Sequence, residues 1–412
     1  MLKRLHLLLA LFILTVNAAM AQITTSGISG KITSDGENVI GATVTATHQP
    51  SGTVYRAVTN IDGRYTIQGM RPGGPYKVDI SYIGYKDKVI KNLNLSLGET
   101  ENISCSLQED AHQLQEVVVS GKAGLAASRT GAATSMTAEQ INNMPSITHG
   151  IADVARLNPQ LTVTNSGNMS FAGVNNRYNN FMIDGAANND VFGLASSGNN
   201  GGQAGAQPVS METIEQIQVS VAPFDVRQSG FTGGAINAIT KSGTNQFHGS
   251  AYYYCYNQDL IGTKYPYLDG TGYAPKYQKQ TQYNMGVTLG GPIIKNKLFF
   301  FANYERTNKE YPNLYGVDTG NSKVNTEQAK DILSMLQKMA EKQGVNFNDY
   351  YSNQDIYTKS DKAGLKLDWN INEFNKFAIR WSLVKAEQLS GGGSASSLNS
   401  YGYSYPFKSN TN

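Results

Sequence analysis

The chain has few of the residues from which most catalytic and metal sites are built. Its 412 residues include five histidines and two cysteines. No histidine stands in an H-x-x-E or H-E-x-x-H arrangement, which would place paired ligands around a metal ion, and no G-x-S-x-G nucleophile elbow occurs. Cys105 and Cys255 lie in different regions of the chain, and each is predicted to be unpaired. The sequence therefore predicts no enzyme, no metal, no other cofactor and no disulfide framework.

Strong charge and long apolar runs are also missing. The chain has 34 basic and 31 acidic residues and a formal net charge of +3, which falls to +1 when the two basic residues within positions 1–21 are removed. A near-neutral balance argues against nucleic acid as a partner. No long apolar run follows residue 21, so no transmembrane helix is predicted. A membrane β-barrel is still allowed, because its strands carry a weaker hydropathy signal.

The N-terminus has the pattern of a secretory signal peptide. Lys3 and Arg4 precede an apolar run from Leu5 to Val16, and small residues follow at Ala19 and Ala21. This run is too short to span a bilayer, which disfavours the alternative of an anchor helix. We predict a signal peptide at residues 1–21 with cleavage before Gln22.

The stretch GGAINAITKSG at residues 233–243 ends in Lys-Ser and invites comparison with a phosphate-binding loop. Such a loop needs glycine immediately before the lysine and again five residues earlier, so that backbone N–H groups can approach the phosphates. Counting back from Lys241, those positions hold Thr240 and Ala235. The stretch is therefore not predicted to bind a nucleotide.

Short β-rich segments alternate with turn signals such as Asp35-Gly36 and Asp62-Gly63 between residues 28 and 107. About seven such strands predict an antiparallel β-sandwich, the domain 22–110. The segment QEVVVSG follows within a linker, residues 111–124. Its β-branched run has two possible uses, as an eighth strand of the sandwich or as a strand that adds to the sheet of another protein.

Residues 125–243 predict a small α+β domain. Two short helices end at Pro145 and Pro159, and five strand-like pieces follow. The glycine-rich loop 193–207 lies between these strands. We expect it to be mobile, because it has too little apolar area to offset the entropy cost of ordering.

From residue 244 onwards, apolar and polar residues alternate in segments of about ten residues, the length of a transmembrane β-strand. Long and short connections follow one another in turn, as in a membrane barrel with long external loops. The longest connection contains an amphipathic helix with Ile332 and Met339 on its apolar face, predicted to pack on its own loop. The predicted strands are 246–256, 281–290, 297–306, 362–371 and 376–386.

About five strands cannot close a barrel, because bacterial barrels have at least eight and an open edge leaves backbone groups unsatisfied in lipid. Residues 244–412 are therefore predicted to be the start of a transmembrane β-barrel, and the chain to be either the front part of a longer protein or a truncated product of one. The last residues, YPFKSNTN, are expected to lie in an external loop. The predicted fold class is mainly β: a sandwich, a small α+β domain and the first antiparallel strands of an incomplete barrel.

This order of parts, together with three motifs, resembles the TonB-dependent outer-membrane receptors of Bacteroidota. The resemblance is to the Oar-like and SusC-like branches, which carry an N-terminal carboxypeptidase regulatory-like domain with a prealbumin-like fold. It implies a TonB box at Gln115, Glu116, Val117, Val118 and Val119. It implies a plug motif that contains Asn176, Arg177, Asp184 and Gly185. It also implies a plug-to-barrel hinge that contains Gly233, Gly234, Lys241 and Gly243.

The resemblance implies import of a nutrient into the periplasm through a plug that TonB rearranges, with a non-transporting binding or adhesion protein as the alternative. The implied partners are the TonB-ExbB-ExbD complex, outer-membrane lipids and an unknown nutrient, with a SusD-like lipoprotein left open. The implied location is the outer membrane, with the sandwich and TonB box in the periplasm. Ala172-Gly173 and Ser229-Gly230 depart from the Arg-Gly and Tyr-Gly of siderophore receptors, which argues against a metal chelate as the ligand.

Overall fold

The computed structural model describes residues 24–109, 117–120, 132–146, 149–164, 168–190, 193, 195, 197–221, 231–260, 279–312, 326–344, 355–373, 375–390 and 405–411. For residues 117–120 it describes the backbone. The predicted signal peptide, Gln115, Glu116 and the pair Ser229-Gly230 lie outside the described residues.

The first domain is a sandwich of two β-sheets. In one, β1 is flanked by β2 and β5, and β8 and β9 pair with β1 in parallel. The other contains β7, β6, β3 and β4 in that order. The strands are β1 (Ser26–Ser34), β2 (Glu37–Asn38), β3 (Thr43–His48), β4 (Thr53–Val58), β5 (Arg64–Met70), β6 (Gly73–Ser81), β7 (Lys88–Leu95), β8 (Thr100–Asn102) and β9 (Cys105–Ser106).

Alternating apolar side chains and turn-forming residues explain the strands and turns of this domain. Asp35 and Gly36 both adopt positive φ, at 49° and 89°, which is the two-residue hairpin turn that Asp-Gly favours. Ile28, Ile32 and Tyr76 are fully buried in the core between the sheets. The expectation of a purely antiparallel sandwich is wrong, because the chain crosses from β7 back to the first sheet and enters beside β1 in the same direction.

The strand β10 (Val117–Ser120) ends the second sheet of the sandwich, where it pairs in parallel with β7. Val118 lies opposite Val89, and Val119 lies opposite Ile90. Of the two uses that the sequence allows for this segment, the structure contains the first, a further strand of the sandwich.

The second domain has a five-stranded sheet in the order β11-β16-β17-β14-β15, with two short helices. Thr137 and Gln140 form a capping box at the start of the first helix, in which each side chain meets the backbone of the other. The elements are β11 (Ala132–Thr137), α1 (Ala138–Asn143), α2 (Ile151–Ala155), β12 (Leu161–Val163), β13 (Met169–Phe171), β14 (Asn180–Ile183), β15 (Ala186–Ala187), β16 (Ile214–Val221) and β17 (Gly234–Thr240).

The third region is an antiparallel sheet of six strands in chain order. Its strands are β18 (His248–Asn257), β19 (Thr281–Ile294), β20 (Leu298–Tyr311), β21 (Ile356–Asn370), β22 (Lys376–Ser390) and β23 (Tyr405–Thr411). The expectation of an external loop at the end of the chain is wrong, because Tyr405–Thr411 pairs with β22. The short connections are residues 295–297 and 371–375, so long and short connections alternate as predicted.

The predicted amphipathic helix is α3 (Thr326–Lys342) in the longest connection. Ile332 and Met339 on this helix are exposed to solvent. Packing of this face on the loop around it stays a prediction, since the described part of the loop is short. No helix among the described residues is both long and apolar enough to cross a membrane.

Candidate functional site

The six-stranded sheet has one apolar face and one polar face. Leu365 lies opposite Trp381 and Leu367 opposite Ile379, and these side chains belong to the outer face, where Leu365 and Trp381 are 42% and 50% exposed. The alternate positions carry polar side chains that are buried against the second domain. The buried polar residues of this inner face are Asn284, Glu305, Thr358, Ser360, Lys362 and Asp368.

Asp184 joins the second domain to the inner face. It adopts positive φ together with Gly185 in the two-residue turn between β14 and β15, as the Asp-Gly pair predicts. Its carboxylate accepts hydrogen bonds from the backbone N–H and the hydroxyl of Thr240, at 2.8 and 2.6 Å. Lys366 Nζ and Arg380 Nε approach the same carboxylate at 3.4 and 3.3 Å. We call the six-stranded sheet the wall. The Asp184 carboxylate therefore connects β14 and β17 of the second domain to β21 and β22 of the wall.

Glu305 forms a second connection further along the wall. Lys362 Nζ lies 2.6 Å from Glu305 Oε1, and both side chains are more than nine-tenths buried. Glu305 Oε2 accepts hydrogen bonds from the hydroxyl of Ser210 at 2.5 Å and from that of Tyr252 at 2.6 Å. Ser210 belongs to the second domain, so this buried ion pair also spans the boundary.

Asn176 and Arg177 are not brought to Asp184. They form a turn of 3-10 helix, Asn176–Tyr178, which precedes β14, whereas Asp184 follows β14. The backbone N–H of Arg177 donates to the side chain of Asn175, and the Arg177 side chain is exposed. The predicted plug-motif residues therefore lie at opposite ends of one strand.

Gly233, Gly234 and Gly243 permit close packing. A Cβ atom at Gly234 would overlap the ring of Phe171, and one at Gly243 would overlap the carbonyl oxygen of Phe300. Neither Gly233 nor Gly234 has positive φ, and a Cβ at Gly233 would overlap the side chain of Asn179. These positions need glycine because neighbouring groups occupy the space of a side chain.

Lys241, which follows β17, is hydrogen-bonded through its backbone to the second domain. Its backbone N–H donates to the carbonyl of Thr213 at 2.7 Å, and its side chain is partly buried.

The glycine-rich loop packs against the wall. Ala204 is fully buried and Ala206 nearly so, in a small cluster with Val384 and Ala386 of β22. The loop therefore buries some apolar area through methyl groups, and its mobility stays a prediction.

The sandwich docks on the short turns of the six-stranded sheet. Arg56 pairs with Glu373 at 2.7 Å, and Asn370 Nδ2 donates to Thr53 Oγ1 at 2.9 Å. Gly52 lies so close to this surface that a Cβ atom there would overlap Oδ1 of Asn296. Lys376 Nζ lies 3.2 Å from the centroid of the Tyr55 ring, and Arg71 lies 3.5 Å from Asp368.

The sandwich also docks on β16 through two glutamines. Gln216 donates to the carbonyl of Leu95 at 3.0 Å and accepts from the N–H of Leu97 at 2.9 Å. Gln218 donates to the carbonyl of Leu97 at 2.9 Å. Both side chains are buried. They therefore satisfy backbone groups of the sandwich where water is excluded.

A cavity of about 390 Å³ lies where the sandwich, the second domain and the wall meet. Asp184, Arg71 and Lys376 contribute charges to its lining. His48 also lines it, and burial, followed by the nearby Arg71 and Lys376, lowers the pKa of His48 to about 3. His48 is therefore neutral at pH 7.

The described residues contain no cluster of three or more His, Cys, Asp or Glu side chains that could hold a metal ion. Cys105 and Cys255 are free thiols. Cys105 is partly buried beside the core of the sandwich, and burial raises the pKa of its thiol.

Three family models match the chain in succession. A carboxypeptidase regulatory-like domain matches residues 27–108, a TonB-dependent receptor plug domain matches 126–236, and an outer membrane beta barrel domain matches 239–319. In succession these three parts of the chain are similar to the domains of TonB-dependent receptors. This confirms the predicted fold class, in which the second domain is the plug and the six-stranded sheet is part of the barrel.

Two curated relatives and one solved structure are similar to parts of the chain. The chain is 29% identical over 273 residues to the TonB-dependent transporter Oar of Myxococcus xanthus, which covers 63% of this chain and 24% of Oar. It is 26% identical over 189 residues to the probable TonB-dependent siderophore receptor PirA of Acinetobacter baumannii, which covers 42% and 22%. It also resembles the structure of the Escherichia coli outer membrane transporter YddB, with a TM-score of 0.44 and 14% identity over 64% of this chain and 34% of YddB.

The chain spans about a quarter of the length of the curated relatives it matches. The barrel match and the apolar outer face assign this receptor to the outer membrane. The matched relatives are a transporter and a receptor rather than enzymes.

The contacts that the plug and the sandwich make with the other domains were not predicted from the sequence. Asp184 was identified from its motif, whereas its partners Lys366 and Arg380, and the network around Glu305, were not. The one available signal was the presence of Glu305, Lys362 and Lys366 at polar positions of alternating strands, where a barrel interior is expected.

Proposed function

We propose that this protein imports a nutrient across the outer membrane, with TonB supplying the energy to rearrange the plug. The observation that carries the proposal is the way the plug meets the barrel wall. The described contact is built from ionic and polar groups around Asp184 and Glu305 and from small side chains around Ala204.

Such a contact is suited to a plug that moves. Water can replace polar partners when the surfaces separate, so the groups of the wall would not be left unsatisfied in an open passage. A plug held by a large apolar core would instead expose apolar area on opening, which is unfavourable at about 25 cal/mol per Å².

The proposed contact with TonB is the segment Gln115–Val119, of which Val117–Val119 form part of β10. Val-rich extended segments suit strand addition, since main-chain hydrogen bonds supply the affinity. In this proposal ExbB and ExbD act with TonB. The sandwich and this segment lie on the periplasmic side, where the short connections 295–297 and 371–375 meet the sandwich.

The proposed nutrient is a glycan or a peptide. Departures from siderophore-receptor motifs at Ala172 and Ser229, and loops rich in Asn, Gln and Tyr, support a polar ligand without a metal. Membership of the Bacteroidota branch and a SusD-like lipoprotein partner stay predictions. The outer face, with Val287, Leu365 and Trp381 exposed, is the proposed contact with lipids.

The test is a Val118→Pro variant of the receptor, compared with Val118→Thr. Proline removes a backbone donor from a strand, whereas threonine keeps both the donor and the β-propensity. We expect Val118→Pro to lose binding of a purified TonB C-terminal domain and to lose growth on mixed oligosaccharides or peptides as sole carbon source. Val118→Thr should keep both. Equal behaviour of the two variants, at equal surface levels, would favour a non-transporting binding or adhesion protein.

A further inference from the structure

The TonB segment of this receptor is already part of a sheet. In β10, Val117 lies opposite Lys88 of β7, Val118 opposite Val89, and Ser120 opposite Lys91, in a parallel ladder. The strand is the last of its sheet, and no other described strand pairs with its far edge. One edge of β10 is therefore paired with the sandwich, and the other edge is unpaired within the described part of the chain.

The strand β7, with which β10 pairs, is held in place by contacts with the rest of the protein. Leu93 and Leu95 of β7 are buried in the core of the sandwich. The carbonyl of Leu95 accepts a hydrogen bond from Gln216 of the plug at 3.0 Å. The sandwich is also attached to the barrel turns, through Asn370 and Thr53 among others. The support of β10 is thus in contact with both the plug and the barrel.

A strand has two edges, and strand addition needs only one of them. Successive residues direct their backbone groups to alternate edges. Pairing with β7 therefore leaves alternate N–H and C=O groups of β10 directed away from the sandwich. It also holds the segment extended, so a partner strand does not have to order it. Preordering of this kind strengthens binding, because the loss of backbone freedom has already occurred on folding.

We propose that the sandwich presents β10 to TonB, holding it on β7 while a strand of the TonB C-terminal domain adds to its far edge. This inference rests on the proposed function, in which Val117–Val119 contact TonB. It assigns the regulatory-like domain a role as a docking platform and makes the far edge of β10 the interaction surface. The competing arrangement is occlusion, in which the sandwich and TonB compete for the same edge.

A disulfide between β10 and β7 separates these arrangements. Ser120→Cys and Lys91→Cys, in a Cys105→Ala and Cys255→Ala background, place two thiols at register partners on neighbouring strands, outside the proposed TonB contact Gln115–Val119. Neighbouring strands lie about 4.8 Å apart, within the range of Cα separations that a disulfide spans. The probe is a purified TonB C-terminal domain, and the measurement is its Kd for the oxidised and the reduced receptor.

We expect the disulfide to form and the oxidised receptor to bind TonB as tightly as the reduced receptor, or up to about tenfold more tightly, since preordering lowers the entropy loss on binding. A loss of affinity greater than about threefold on oxidation, reversed by reductant, would overturn presentation in favour of occlusion. Failure of the disulfide to form would overturn the pairing itself.

Failure of the proposed function has a different signature. If the reduced receptor does not bind the TonB domain, or if Val118→Pro binds it normally, the TonB segment has been assigned to the wrong residues. The proposal that the sandwich presents it is then also wrong. If both Val118→Pro and the oxidised receptor lose TonB binding, the assignment of the TonB segment is supported. The proposal that the sandwich presents this segment is then wrong.

Discussion

Replacing Lys362 by methionine tests how strongly the buried ion pair connects plug and wall. Methionine is about as long as lysine and fits the same space, but it leaves Glu305 without its cation. The Glu305 side chain is only 8% exposed, and its remaining partners are two hydroxyls, from Ser210 and Tyr252. The carboxylate would then be buried with its charge uncompensated.

The structure provides a matched comparison for the magnitude. Arg306 and Asp361 occupy the neighbouring register positions on the same two strands, but they lie on the outer face and are 43% and 42% exposed. Breaking a buried pair on one side costs about 3–5 kcal/mol, whereas an exposed pair contributes about 0–1 kcal/mol. Lys362→Met should therefore destabilise the receptor by at least about 2 kcal/mol more than Arg306→Met.

Urea titration of the detergent-folded receptor measures this difference. The two tryptophans of the chain, Trp369 and Trp381, lie on β21, which carries Lys362, and on the neighbouring β22, so they report on unfolding of this sheet. Adding Glu305→Gln to Lys362→Met should restore most of the loss, because it removes the unpaired charge. If Lys362→Met costs no more than Arg306→Met, or if Glu305→Gln gives no recovery, then the buried charge does not stabilise this interface.

Three further predictions concern the other connections. Asp184→Asn should speed hydrogen exchange in β14 and β17 by about 10- to 100-fold, because hydrogen bonds to charged groups contribute about 1.5–3 kcal/mol, and unchanged exchange would contradict the ionic connection. Gly52→Asn keeps the positive φ but collides with Asn296, so it should increase proteolysis between sandwich and barrel; Gly36→Asn, with the same φ sign and open space, should not. The pKa of His48 is about 3 in the folded state against 6.5 in the unfolded state, so protonation favours unfolding, and the free energy of unfolding of the sandwich should fall by about 2 kcal/mol from pH 7 to pH 5. Hydrogen exchange in the sandwich measures this change. A His48→Gln variant with the same pH dependence would refute it.

Local signals predicted the parts of this receptor that short segments determine. The turn at Asp184-Gly185 follows from the tolerance of Asp and Gly for positive φ, and the outer face follows from period-two alternation through Leu365 and Trp381. The first plug strand, Ala132–Thr137, was missed because its small residues give little β-signal. It forms a strand because β16 offers a paired edge, with Ala132 opposite Val221.

Contacts between distant parts of the chain were beyond sequence analysis for a different reason. Gln216 and Leu95 are far apart in sequence, and nothing near either residue indicates that a glutamine side chain will satisfy sandwich backbone. The same holds for Gly52, which reads as an ordinary turn glycine until Asn296 is placed beside it. Such contacts depend on how completed domains meet, and a local pattern carries no information on that.

The hydrogen-bonded connections of the sandwich define a path along which a pull on Val118 would travel. Apart from the covalent chain that continues from β10 into the plug, force on β10 acts on the ladder with β7 and then, through the carbonyl of Leu95, on Gln216 of β16. A ladder of four residues in register resists a pull along the strand better than one opened from its end, since all its hydrogen bonds are loaded together. If the sandwich presents the strand as proposed, the direction in which TonB pulls decides whether β10 peels from β7 or whether the sandwich and β16 move with it.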